Sequence, residues 1–193
     1  MEPLNQSLFL LINASHQPNV ALLGLTKFLA QVPVFFALLC LVLMWLKDNL
    51  SKSVVLNAIY VTSFALLVNF VISLMWQHNR PFVDHIGLTF IRHTPDSSFP
   101  SDHVTFLACI AFCLSLDKHY HSLGICLLGL SLATAWARVF SGVHYPFDVL
   151  GAYALSALWC GLFEYYCARR VKPFNHIVIQ KLRAISQRIF HFH

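Results

Sequence analysis

Apolar residues along this chain come in long blocks, broken by short polar connections. The main blocks are VPVFFALLCLVLMWL (32–46), VVLNAIYVTSFALLVNFVISLMW (54–76), VTFLACIAFCLSL (104–116), LGICLLGLSLATAWA (123–137) and FDVLGAYALSALWCGLFEYYC (147–167). A bilayer core of ~30 Å takes about 20 residues of helix. The second and fifth blocks reach that length unaided. The first does so if it starts near Ala21, and the third and fourth do so by drawing in flanking polar residues. The pattern predicts an all-α, polytopic membrane bundle of about five transmembrane helices, forming a single domain over residues 1–193.

Composition agrees with that reading. The chain is 58% hydrophobic and only 11% Asp, Glu, Lys or Arg, against ~25% charged in soluble domains. Residues 1–20 lack a basic start, and SLFLLIN (7–13) is too short to span or to serve as a signal core, so it reads as an interfacial helix. The six cysteines lie in or beside apolar blocks and show no zinc spacing. A net charge of +5 raises nucleic acid as a partner, but the placement of the charge excludes it. Arg169, Arg170, Lys172, Lys181, Arg183 and Arg188 all follow the last block, in a basic tail over 168–193. The positive-inside rule puts that tail in the cytoplasm. Counting back through five spans, Lys47, Lys52 and Lys118 also fall inside, while Arg80, Arg92 and Arg138 fall outside with the N-terminus. The inner connections KDNLSKS (47–53) and DKHYHS (117–122) are brief. The long connection, 77–102, and the turn 138–146 share the outer face.

Three polar clusters stand on that face: HNRPF (78–82), FPSDH (99–103) and ARVFSGVHYPFD (137–148). Arginine is costly in or near hydrocarbon and marks function there. Arg80, Arg138, Ser101 and the free N–H groups of a helix start, around Asp102, make a cradle for a phosphate. His103 opens the third span and His144 precedes the fifth. Two imidazoles suit a covalent phosphoryl transfer in which one attacks phosphorus and the other protonates the leaving oxygen. Asp148, just past Pro146, is spaced to accept the second ring N–H of His144 and fix its tautomer.

Arg80–Pro81, then Pro100–Ser101–Asp102–His103, then Ala137–Arg138 followed by His144 and Asp148, resembles the type 2 phosphatidic acid phosphatase superfamily. The resemblance covers residues ~70–150 and implies lipid phosphate hydrolysis through a phosphohistidine, with no metal or other cofactor. It implies His144 as nucleophile, Asp148 orienting it, and His103 as general acid. Arg80, Ser101 and Arg138 would hold the phosphate; Asp102 is grouped with them. RPFVDHIGLTF followed by DSSFPSDH is most similar to the bacterial undecaprenyl-diphosphatase branch. That implies a multi-pass protein of the bacterial cell membrane. Its partners would be a polyprenyl diphosphate lipid and the bilayer, with no obligate protein partner. Two positions depart from the family pattern: Ser73 stands where a Lys is usual, with Arg92 or His78 as possible replacements, and Ala137 stands where Ser is common.

Other readings of the same residues exist. Ser101 or Asp102 serves as a helix N-cap in many proteins, Arg80 and Arg138 as snorkelling cations, and Asp148 as a favourable charge at a helix start. The histidines of the outer loop, His78, His85 and His93, lack the i,i+4 pairing of a metalloprotease helix. HYH (119–121) and HFH (191–193) read as solvated, and Trp76 as an interfacial anchor. Functional alternatives are a phosphatase of phosphatidylglycerol phosphate, phosphatidate or diacylglycerol diphosphate, a lipid phosphotransferase, or a carrier or flippase that only binds the head group. A binder has no need of two positioned histidines and an orienting aspartate.

Overall fold

The computed structural model of the chain describes residues 2–190, so HFH at 191–193 lies outside it. Every regular element among the described residues is helical: α1 (Glu2–Ile12), α2 (Val20–Trp45), α3 (Asn49–Met75), α4 (Asp102–Leu116), α5 (His121–Phe140), α6 (Pro146–Leu162) and α7 (Ala168–Phe190). A π-helical turn over Phe163–Cys167 joins the last two. Side-chain caps set two of the starts. Asn19 accepts the Leu22 N–H at 2.8 Å, and Asp48 accepts the Ser51 N–H at 2.8 Å. At the start of α6, Pro146 occupies the first turn, where its missing N–H costs nothing.

Four helical stretches are long and apolar enough to cross a membrane: α2, α3, α5 and the continuous Pro146–Ile185. The third sequence block falls short of a span. α4 has 15 residues, or ~22 Å of helix, against ~30 Å of hydrocarbon. Its position explains why so short a helix is stable: α4 packs on α5, α3, α6 and α2. Val104, Leu107, Ala108, Cys109, Ile110, Ala111 and Leu114 are all buried by those neighbours. Its middle is therefore enclosed by protein, while Asp102 and Leu116 at its two ends are exposed. Ala37, Leu41, Met44, Val55, Ala58, Leu107, Ile110, Leu114 and Leu127 form the largest buried cluster, between α2, α3, α4 and α5.

The N-terminal segment forms a helix docked on the same end of the bundle as the long connection. Phe9 is fully buried and packs edge-on against Tyr145, with ring centroids 5.4 Å apart. Asn13 donates to the carbonyls of Leu88 and Phe140, both at 2.9 Å, and accepts the Leu88 N–H at 2.8 Å. Leu4, Leu10 and Leu11 face outward. At the other end the basic tail is ordered helix. The buried Asn175 of α7 donates to Ser53 Oγ at 3.1 Å and Asn57 Oδ1 at 2.9 Å, and accepts from Tyr60 Oη at 3.1 Å, all on α3.

Candidate active site

The three polar clusters meet at one end of the bundle. Arg80 follows the end of α3, Ser101 and His103 stand at the start of α4, Arg138 lies in the last turn of α5, and Asp148 in the first turn of α6. His144 occupies the turn between α5 and α6. That turn depends on Gly142, whose φ of +80° is a left-handed conformation that a side chain disfavours. Leu88 of the long connection packs directly over it.

Arg80 binds the connection and the turn together. Its Nε donates to Asp96 Oδ1 at 2.8 Å, one Nη to the Val143 carbonyl at 2.8 Å, and the other Nη to the Ser97 carbonyl at 3.2 Å. Burial alone would raise the Asp96 carboxyl, but the hydrogen bond and charge of Arg80 hold it below its usual range.

His144 is buried, and its two ring nitrogens face opposite chemistry. Nδ1 lies 3.4 Å from Asp148 Oδ2. Nε2 faces Arg80 Nη at 3.1 Å and Arg138 Nη at 3.3 Å. Guanidinium nitrogens only donate, so Nε2 presents a lone pair and the proton sits on Nδ1. Burial pushes the imidazole well below its ordinary value; Asp148 pulls the other way, and Arg138 and Arg80 reinforce burial. His144 is thus a neutral imidazole whose free lone pair points at two cations.

Asp148 is fixed on several sides. Its Oδ2 accepts the Tyr145 N–H at 2.7 Å and also the Ser98 hydroxyl. Oδ1 has no hydrogen-bond partner, although it is buried. Two further buried polar atoms lack partners and belong to the predicted cradle: Ser101 Oγ and Arg138 Nε. Leaving such a group dry and unpaired costs about 1–3 kcal/mol. An anion seated beside Nε2 of His144 would satisfy both. Ser101 does occupy the N-cap position of α4, yet its side chain makes no capping bond.

The structure thus brings Arg80, Ser101, Arg138, His144 and Asp148 together. His103 lies in the first turn of α4, partly buried, where burial, reinforced by the charges of Arg138, His93 and Arg80, lowers its pKa to about 3. Asp102 is exposed, beside Asn69. Its carboxylate accepts from Asn69 of α3 at 3.0 Å, and Asn69 also donates to Thr105 at 2.9 Å. Of the positions singled out as departures, Ser73 bonds the Phe70 carbonyl of its own helix at 2.7 Å, Arg92 is exposed, and Ala137 is buried. Trp76 packs on Phe99 and His78.

Sequence reasoning missed three contributors. Ser98, in DSSFPSDH, holds Asp148. His93 faces His144 at a ring distance of 6.2 Å, and burial with the charge of Arg80 lowers its pKa. Asn5 of α1 accepts the Phe147 N–H at 3.0 Å, which steadies the start of α6. Only Ser98 carried a local signal, through its place in the quoted motif. No group of three or more His, Cys, Asp or Glu among the described residues is arranged to hold a metal ion.

Comparison with known proteins agrees with this geometry. The sequence profile described as the PAP2 superfamily matches residues 53–172, the stretch that carries all three clusters. The chain belongs to the PAP2 superfamily. It is 34% identical over 161 residues to YbjG of Escherichia coli (strain K12), provisionally described as an undecaprenyl-diphosphatase; the match covers 83% of this chain and 81% of that one. It is 30% identical to the undecaprenyl-diphosphatase BcrC of Bacillus subtilis (strain 168), over 96% and 95% of the two chains. Among solved structures it is similar to Aquifex aeolicus LpxE, with a TM-score of 0.72 at 21% identity, covering 84% of this chain and 96% of that one. A transmembrane PAP2-type phosphatidylglycerolphosphate phosphatase from Bacillus subtilis gives a TM-score of 0.65 at 24% identity, over 90% and 88%. This PAP2 chain is a membrane phosphatase of that type, and the two solved structures share its helical fold.

Proposed function

We propose that this PAP2 phosphatase hydrolyses a polyprenyl diphosphate, undecaprenyl diphosphate in the first instance, at the outer face of a bacterial cell membrane. The observation that carries the reading is the placement of the His144 ring. Its Nε2 lone pair is aimed between Arg80 and Arg138, beside the unpartnered Ser101 Oγ and Arg138 Nε. The relatedness to YbjG and BcrC directs the choice of lipid.

In the first step Nε2 of His144 attacks the terminal phosphorus. The bond from that phosphorus to the bridging oxygen breaks, and His103, protonated once the anionic head group is seated against it and offsets burial and the arginine charges, gives its proton to the departing lipid monophosphate. Arg80, Arg138 and Ser101 neutralise charge on the equatorial oxygens, the main contribution a protein makes to phosphoryl transfer. Asp148 stabilises the Nδ1–H as positive charge develops on the ring. In the second step His103, now neutral, takes a proton from water. The oxygen attacks phosphorus, the N–P bond breaks, and inorganic phosphate leaves with His144 restored.

The test is phosphate release by the purified protein in detergent with excess chelator. Undecaprenyl diphosphate, phosphatidate and phosphatidylglycerol phosphate are compared side by side, with wild type and His144→Ala. The reading expects fastest release from the prenyl lipid and none from folded His144→Ala. Preference for a glycerolipid would move the substrate, and turnover by His144→Ala would overturn the mechanism.

A further inference from the structure

The carboxylate that serves His144 is shared with a second histidine. His78, half-buried just past α3, points Nδ1 at Asp148 Oδ1 from 3.5 Å. Both of those atoms are buried, and neither has a hydrogen-bond partner. Two complementary orphans facing each other just beyond bonding distance satisfy one another after a shift of a few tenths of an ångström. On its far side His78 Nε2 meets Glu2 Oε2 of α1 at 3.3 Å. Its ring is held between Tyr145, at a centroid distance of 5.4 Å, and Trp76, at 5.5 Å. Its backbone is tied as well, since its carbonyl accepts the Ser98 N–H at 2.7 Å. Ser98 in turn bonds the same Asp148. A continuous chain therefore runs from Glu2 at the surface through His78 and Asp148 to His144.

We propose that His78 is a positioning residue: it donates Nδ1–H to Asp148 Oδ1 and fixes the carboxylate plane that orients His144, while Glu2 of α1 holds the imidazole in place. The inference rests on His144 being the nucleophile. Two features give the arrangement chemical purpose. Oδ2 already receives the Tyr145 N–H, the Ser98 hydroxyl and the His144 ring, so it is saturated, whereas Oδ1 receives no donor and the carboxylate plane keeps the freedom to turn about Oδ2. A donor on Oδ1 removes that freedom. The position also accounts for the outer-loop histidine being unavailable as a phosphate ligand, because its nitrogens are engaged by Asp148 and Glu2.

The titratable groups facing His78 are Asp148 from α6 and Glu2 from α1, with the Tyr145 phenol ring edge-on at its side. The hydrogen bond from Asp148 raises the His78 pKa; burial opposes it, and Glu2 adds to the rise. With both nitrogens protonated, His78 serves both carboxylates. Its folded pKa is raised, so this interaction is complete below about 6.5 and is lost as pH climbs through the raised value. With a single proton left, Glu2 and Asp148 compete for it.

The experiment compares wild type, His78→Phe, His78→Asn and His144→Ala. It follows kcat and KM for phosphate release from about pH 5.5 to about pH 9, with thermal unfolding as the check of folding. Phe retains the stacking on Tyr145 and Trp76 but offers no donor, whereas the Asn amide places an N–H near Nδ1. The expected result is kcat lower by about tenfold in His78→Phe with KM moved by less than about twofold, and substantial recovery in His78→Asn. The part of the alkaline fall in wild-type kcat that follows the raised His78 pKa should be missing in His78→Asn, which has no proton to lose, leaving only the limb set by the general acid His103. A folded His78→Phe with wild-type kcat overturns the inference. So do equal losses in both variants with an unchanged pH profile, which would mark a packing role only. If His78→Phe fails to fold, the profile of His78→Asn decides alone. Turnover by His144→Ala would instead sink the nucleophile assignment on which this rests.

Discussion

Replacing Arg80 by Lys separates charge from geometry in the site. The guanidinium reaches three oxygens at once: Asp96 Oδ1 and the Val143 carbonyl, each at 2.8 Å, and the Ser97 carbonyl at 3.2 Å. A lysine keeps the positive charge but offers a compact ammonium on a flexible stem, which cannot span those directions. The Asp96 contact lies at the surface, with the carboxylate side chain 58% exposed, so its loss counts for little. The two carbonyl bonds are shielded, and hydrogen bonds from a charged donor are worth about 1.5 kcal/mol each at the low end. Losing both removes ~3 kcal/mol of restraint, shared between Val143 beside His144 and Ser97 beside Ser98, equivalent to roughly a hundredfold in rate if it falls wholly on the transition state. We expect kcat/KM for phosphate release to drop by about that factor. KM should rise only about threefold, because the cation that attracts the phosphate remains. The assay is steady-state release in detergent, normalised to folded protein by thermal unfolding. An Arg80→Lys enzyme within about threefold of wild type in kcat/KM would refute the claim that the fork positions His144.

Two further outcomes follow from unpaired or perturbed groups. Ser101→Ala removes a buried hydroxyl that bonds nothing in the free protein, so unfolding should change by less than about 0.5 kcal/mol, while kcat/KM falls about tenfold. A capping serine would show the reverse, a loss of about 1 kcal/mol of stability with activity intact. The depressed pKa of His144 makes the unfolded chain the better proton acceptor, so stability is full above about 6.5 and declines as pH falls below it. Thermal unfolding of wild type should therefore weaken more between about pH 7 and about pH 5 than that of His144→Gln, which has no proton to take up; equal slopes would contradict a neutral buried imidazole.

Much of the fold was legible because a membrane helix declares itself by length and composition, without help from distant residues. The apolar blocks placed α2, α3, α5 and α6 correctly. The role of α1 was not legible. SLFLLIN reads as a greasy interfacial stretch, and its work is done by Phe9, Asn5 and Asn13, whose partners lie far away in sequence at Tyr145, Phe147, Leu88 and Phe140. The site divides the same way. Ser101, His103, Arg138, His144 and Asp148 sit at helix ends or in the turn between two helices, where local spacing constrains direction, while Arg80 lies in the long connection and was singled out by its motif with Pro81. His78 and His93 lie in the same connection, which has no periodicity, so the direction of their side chains depends on tertiary contacts alone. Asp102 belongs to the motif, and its bond from Asn69 of α3 was not legible, because the partner lies 33 residues away.

The length mismatch between helices ties the fold to the chemistry. At one end α3 and α4 are level, since Ser51, near the start of α3, meets Tyr120 just after α4 at 2.5 Å. Toward the other end Asn69 is level with the first turn of α4, through Asp102 and Thr105. α3 continues to Met75, six residues beyond, or ~9 Å further at 1.5 Å per residue. α3 therefore overhangs the start of α4, and the long connection that Arg80 pins down follows from that overhang. Arg138, His144 and Asp148 are buried at the same end of the bundle, and burial is the first cause of the depressed His144 pKa. Charge-assisted hydrogen bonds are stronger away from water, so burial there serves the guanidinium cradle. The block too short to span the bilayer thus starts at the site, with Ser101 at its N-cap and His103 in its first turn.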